Sequence, residues 1–146
     1  MGYKVCKFER DGKKGGGLAL LLNKCTCKRV NTHTISNKYH SFESIMCTTI
    51  FDKICYNIIN IYRPPSESKS EFIEQFESFL EHVLQNDGLF VIFGDFNIDL
   101  LTTNKTTNDF LSILERFDLV QLIEQPTREL SLLDYVIINY VSKDKF

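Results

Sequence analysis

Apolar positions recur along this chain with two different periods, and the changes between them mark out the elements. Leucines at 18, 20, 21 and 22 follow Gly15-Gly16-Gly17, so the spacing predicts a loop running into a buried strand. Residues 24–39 are polar and irregular and predict no regular element. Segments 42–51 and 54–62 are rich in β-branched and apolar residues around the polar pair Asp52-Lys53, which predicts an antiparallel hairpin. Pro64-Pro65 then forbids any continuation of the ladder. Phe72, Ile73, Phe76, Phe79, Leu80, Val83 and Leu84 fall at helical spacing, with Glu74, Glu77 and Glu81 on the other face. Ser68 followed by Glu71 is a capping box for that helix, and Asp87-Gly88 is its expected end. Residues 89–93 form a short apolar run stopped by Gly94, the pattern of a buried strand. Phe110, Leu111, Ile113, Leu114 and Phe117 predict a second amphipathic helix, capped by Thr107 or Asn108. Residues 119–123 are a short apolar segment. Residues 132–138 read as one more strand, interrupted by Asp134.

The stretch at 91–97 carries the first chemistry. A strand ending in Gly94 delivers Asp95 and Asn97 from its carboxyl end, where open α/β sheets bind ligands. In extended geometry the two side chains share a face while Phe96 anchors the loop. An anionic acceptor beside a neutral amide suits a metal-bound phosphate, or a base beside a donor. Gly, Asp and Asn also spell a capped turn, so both readings stand. Asn60 and Tyr62 share a strand face in the same way. Tyr62 ends its strand, where a phenol either packs as rim or offers its hydroxyl to a phosphate. Asp134 lies within an apolar strand, where a carboxylate is costly unless paired or exposed. It is therefore either a site residue or part of a solvated face. His33, His40 and His82 read as surface histidines.

Composition narrows the classes. The 146 residues suit one domain, and no apolar run approaches the roughly 20 residues needed to cross a bilayer. Nothing at the start resembles a signal peptide, and five cysteines without one read as reduced thiols, which implies an intracellular protein. Cys25 and Cys27 lack a second pair, so a zinc site is not expected. The glycines at 15–17 are not followed by the Lys-Ser/Thr of a phosphate-binding P-loop. Net charge is only −2, but it is unevenly spread: residues 4–29 hold eight basic and two acidic side chains, the remainder nine and seventeen. The basic front end is either a contact for a phosphate backbone or a solvated lysine-rich loop.

Taken in order, Gly2-Tyr3, Gly15-Gly16-Gly17-Leu18-Ala19, Ile61-Tyr62-Arg63-Pro64-Pro65, Gly94-Asp95-Phe96-Asn97-Ile98-Asp99, Gln125-Pro126-Thr127-Arg128 and Leu133-Asp134-Tyr135 form a pattern. It resembles the endonuclease/exonuclease/phosphatase superfamily, most closely the endonuclease domain of non-LTR retrotransposons. The resemblance implies an α/β (α+β) fold, a four-layer sandwich of two mainly antiparallel sheets flanked by helices, incomplete in this sequence. It implies phosphodiester hydrolysis dependent on Mg²⁺ or Mn²⁺, with DNA as substrate and a reverse transcriptase domain as partner in a full-length element. Position by position, Asp95 matches the aspartate that orients the attacking water. Asn97 matches the asparagine at the phosphate and metal, and Tyr62 the tyrosine at the scissile phosphate. Asp134 matches the aspartate that orients a histidine, and Thr127 a threonine near DNA. Asn60 and Arg63 are further substrate-binding candidates. The family's metal-binding glutamate precedes its Gly-Tyr element, and a Ser-Asp-His follows the last strand; neither has a counterpart in this sequence. The expectation is thus a single partial domain, 1–146, with hydrolysis weakened or lost. The alternatives are a non-catalytic nucleic-acid-binding remnant and a phosphatase of the same superfamily.

Overall fold

The computed structural model describes residues 2–9, 17–33, 35 and 38–139. The expected hairpin is β4 (Glu43–Phe51) and β5 (Ile54–Tyr62), paired residue for residue along nine positions each. Its two-residue turn places Asp52 and Lys53 at positive φ, 47° and 67°, the twist that suits right-handed strands. Helix α1 (Lys69–Val83) carries the chain from β5 to β6 (Leu89–Asp95), which lies parallel to β5. Helix α2 (Lys105–Arg116), β7 (Leu119–Gln121) and β8 (Asp134–Asn139) follow; β8 inserts antiparallel between β6 and β7. With β3 (Lys28–His33) on the far side, the main sheet runs β3-β4-β5-β6-β8-β7. A separate hairpin of β1 (Tyr3–Phe8) and β2 (Leu18–Asn23) forms a second sheet.

Period-2 alternation divides the main sheet into two faces. One face meets both helices through Ile59, Ile61, Phe90, Ile92, Tyr135 and Ile137, against Phe72, Phe76, Phe79 and Phe110. Each fully buried aromatic there contributes on the order of 2–3 kcal/mol. The other face meets the small sheet through Ile45 and Cys47 against Cys6, Leu20 and Leu22. The described residues therefore stack as helices, six strands and two strands. The outer helical layer expected for a four-layer sandwich is not among them, and Tyr3, Val5 and Leu21 of the small sheet face outward at 58, 47 and 62 % exposure.

Several boundaries differ from the sequence pattern, each for a physical reason. The polar segment 24–39 contains β3, an edge strand largely exposed, which needs no apolar alternation to pair with β4 on one side. Helix α1 stops at Val83 with Leu84 as its cap, before Asp87-Gly88. Gly88 serves the next turn: at φ 119° an added Cβ would lie 2.8 Å from the Cys55 carbonyl oxygen. The cap of α2 is Asn104, whose side chain accepts from the Thr107 amide at 3.0 Å, so the helix begins before Thr107 and Asn108. Leu111 is on its exposed side. Asp134 opens β8 and does not interrupt it.

Candidate functional site

Strand register brings the sequence candidates together. Glu43 pairs with Tyr62, Tyr62 with Asp95, and Asp95 with Asp134, so one polar row crosses four adjacent strands. Laterally paired residues project from the same face of a sheet. This is the face that packs on the small sheet, and the row lies at its end. Gly94 makes the row possible. With φ at 147°, a Cβ there would stand 1.8 Å from the Ile61 carbonyl oxygen, so only glycine lets β6 run this close to β5 beside Tyr62. A cavity of about 360 Å³ opens beyond the row, lined by Gly94, Asp95, Thr127, Asp134 and Tyr135, with Phe93, Ile123 and Val136 as its apolar wall. Asp95, Asp134 and Thr127 thus share one mouth, and Tyr62 adjoins Asp95 along the row. Glu43 was not among the sequence candidates. Its only signal is its phase with Ile45 and Cys47 on one strand face, and the cross-strand register that places it is invisible in one sequence.

Asp95 is held by two neighbours. Its Oδ1 accepts from the Asn97 amide at 3.0 Å, and its Oδ2 pairs with Nη2 of Arg128 at 3.0 Å. The first bond closes an Asx turn, so the capped-turn reading and the site reading describe the same residues. Asn97 does not continue the strand. At φ 50° it is left-handed, and its side-chain amide donates to the Arg63 carbonyl at 2.8 Å. The shared extended face expected for Asp95 and Asn97 is therefore replaced by a turn that ties Asn97 to the end of β5.

Arg63 is fully buried, which leaves it no exposed surface for substrate. Its Nε donates to the Phe96 carbonyl at 2.6 Å and its Nη2 to the Asn97 carbonyl at 2.8 Å. Nη1 donates to the carbonyls of Glu67 at 2.7 Å and Pro64 at 3.2 Å. Burial pulls its pKa down, while Tyr135 and Asp95 oppose that shift. The guanidinium instead staples the β6 loop to the segment entering α1, with the Phe72 ring at 5.9 Å. Asn60 is also occupied internally: its Nδ2 donates to the Ala19 carbonyl at 3.4 Å, joining the two sheets.

Thr127 sets the start of β8. Its hydroxyl oxygen accepts from the Leu133 and Asp134 amides, both at 3.1 Å. With two donors on that oxygen, its own hydrogen is left to donate. Asp99 accepts from the Leu101 and Leu132 amides at 3.1 and 3.0 Å, and these bonds, Leu132 first, hold its carboxyl below the usual range. The Tyr135 hydroxyl donates to the Ile98 carbonyl, and burial raises its phenol pKa. Asp99 clips the loop after β6 onto the segment before β8, and Tyr135 clips it onto β8 itself.

These side chains are not gathered as ligands for the implied Mg²⁺ or Mn²⁺. Among the described residues no group of three or more His, Cys, Asp or Glu is placed to hold a metal ion. Both oxygens of Asp95 already have partners, and the Asn97 amide is spent on Arg63. The set as arranged does not fit a resident divalent ion.

No family model and no curated protein matches the sequence. Solved structures do. The chain is similar to the endonuclease domain of TRAS1, a telomere-specific non-LTR retrotransposon, at 15 % identity and TM-score 0.72. That match covers 94 % of this chain and 65 % of the TRAS1 chain. A mannosyl-6-phosphatase of Bacteroides thetaiotaomicron matches at 14 % identity and TM-score 0.67, over 94 % of this chain and 63 % of its own. TDP2 of D. rerio, complexed with single-strand DNA product, matches at 10 % identity and TM-score 0.68, over 94 % of this chain and 62 % of its own. The fold is that of the endonuclease/exonuclease/phosphatase proteins. The chain spans under two thirds of the length of these solved relatives.

No described helix is long and apolar enough to cross a membrane.

Proposed function

We propose that the mouth formed by Tyr62, Asp95, Asp134 and Thr127 is a phosphodiester site, of the DNA endonuclease kind that the resemblance implies. The observation that carries this reading is the direct register of Tyr62, Asp95 and Asp134, with Thr127 at the rim of the same cavity. The Thr127 hydroxyl, limited to donating, and the Tyr62 phenol would serve non-bridging phosphate oxygens. Arg128 would bring positive charge to the approaching phosphate. Asp134 would orient water, as would Asp95 when Arg128 leaves it. Asn97, Arg63 and Asn60 act as positioning residues rather than as contacts to substrate. No step is routed through a metal ion, since the ligand set does not fit one, and turnover is expected to be weak. A reverse transcriptase partner belongs to the same proposal and concerns a longer element.

The similarity to TDP2 with its DNA product and to the TRAS1 endonuclease domain favours nucleic acid. The similarity to a mannosyl-6-phosphatase keeps a phosphatase as the second reading. A nucleic-acid-binding remnant would act through the basic front end, whose Lys13 and Lys14 lie outside the described residues. Fluorescence anisotropy with a labelled oligonucleotide separates these readings. Tyr62→Phe and Thr127→Val should each weaken binding about tenfold, the range for one hydrogen bond to a charged group. Unchanged affinity in both, with loss on neutralising Lys13 and Lys14, would sink the site reading in favour of the remnant.

A further inference from the structure

We propose that Arg128 is a built-in competitor for cations at this mouth, occupying the Asp95 carboxylate that an external divalent ion would need. The inference rests on the reading of Asp95 as the acceptor at the centre of the site. It accounts for the occupied Oδ2 of Asp95, one of the reasons the side chains do not fit the metal that the resemblance implies.

The row itself is acidic: Glu43, Asp95 and Asp134 stand in register across β4, β5, β6 and β8, with only Tyr62 neutral among them. At Asp95 the row meets Arg128, through the 3.0 Å contact of its Nη2 with Oδ2 of Asp95. The two partners are unlike. The Asp95 side chain is 20 % exposed and fixed by the Asn97 amide, whereas that of Arg128 is 55 % exposed. Arg128 also sits on a closed turn. The amides of Thr127 and Arg128 donate to the Ser131 carbonyl, and the Ser131 amide donates back to the Arg128 carbonyl. The backbone beneath the guanidinium is therefore set, and only side-chain rotation is needed to uncover Asp95. A half-exposed ion pair is weak enough to be displaced. Asp95 thus has two states, one neutralised by Arg128 and one open to an ion or a water. Occupancy by Arg128 and by a divalent ion are mutually exclusive at Oδ2.

Binding of Mn²⁺, followed by the electron paramagnetic resonance signal of the free ion, tests this without requiring turnover. The proteins are the full chain, Arg128→Gln, Asp95→Asn and the double variant, each checked by thermal unfolding. Arg128→Gln should bind Mn²⁺ roughly tenfold more tightly than the parent. This combines the loss of a competing surface pair with the loss of one positive charge a few ångströms from a divalent ion. Adding Asp95→Asn to Arg128→Gln should abolish the gain. Equal or weaker binding by Arg128→Gln overturns the competitor proposal while leaving the phosphodiester site standing, as does absence of binding in every protein. A gain that survives in the double variant means that Asp95 is not the shared acceptor, and the site reading fails with it.

Discussion

Replacing Arg63 by Met should be among the most damaging single changes in this protein, and the structure sets its size. The guanidinium is fully buried and donates to four backbone carbonyls, those of Phe96, Asn97, Glu67 and Pro64. No carboxylate touches it in the described contacts, so carbonyl dipoles and the Phe72 ring, with the nearby charge of Asp95, stabilise it. Methionine keeps much of the volume but makes none of these bonds. A buried polar group left without a partner costs about 1–3 kcal/mol, although carbonyls nearest the surface recover water. Taking the Phe96 and Asn97 carbonyls as the two that stay dry gives a loss of about 2–6 kcal/mol. At about 2–4 °C per kcal/mol for a chain of this size, Tm should fall by roughly 5–20 °C. Arg63→Lys keeps a charge and three donors but cannot span the fork, so it should recover about half of the loss. Urea unfolding followed by circular dichroism measures both. A Met variant within about 1 kcal/mol of the parent would refute the staple, because that lies inside the ordinary range for surface changes.

Three further outcomes follow from the same geometry. Gly94→Ala should prevent folding or cost more than about 4 kcal/mol, since the new Cβ meets the Ile61 carbonyl at 1.8 Å; soluble yield and thermal unfolding report it. Burial first, and the adjoining Cys6 thiol second, push the Cys47 thiol up to about 12. The unfolded thiol ionises near about 8.5, so the native state keeps a proton the unfolded state releases, and stability should fall as pH rises above about 8.5. Cys47→Ala should flatten that decline in urea unfolding series at increasing pH. Asp99 behaves oppositely. Its lowered pKa contributes stability above the unfolded value of about 3.9 that is lost as pH falls below it. Asp99→Asn should remove that acid-side dependence.

The elements that were legible in the sequence are those whose pattern is local. Helix α1 announces itself because Phe72, Phe76, Phe79 and Leu80 all enter one core, and the β4–β5 hairpin because its turn and both flanking runs lie within twenty residues. Strand β3 was not legible: Val30 is its one partly buried aliphatic residue, and its pairing is supplied by β4 alone. The α2 cap lies in a polar tract, where Asn104, Thr107 and Asn108 look alike until the Thr107 amide finds Asn104. Tyr62, Asp95, Asp134 and Thr127 could be named from their motifs, but not the strand register that aligns them. The row exists because β6 lies parallel to β5 and antiparallel to β8, a register set by contacts more than thirty residues apart. Arg128 escaped for that reason; Glu43 lies within the local hairpin, and only the row that forms beyond Tyr62 marks it out. Arg63, a substrate-binding candidate in the sequence, is buried instead. Its acceptors, the Phe96 and Asn97 carbonyls, come within reach only when β6 has folded beside β5.

The central claim is that one mouth, at one end of the main sheet, receives a phosphodiester. Amide spectra of the ¹⁵N-labelled chain, titrated with a short single-stranded oligonucleotide, address it most directly. The account predicts saturable shifts gathered on Tyr62, Asp95, Thr127, Arg128 and Asp134, weakened by salt. Shifts confined to the separate cavity around His33 and His82, or no saturable shift at all, would contradict it.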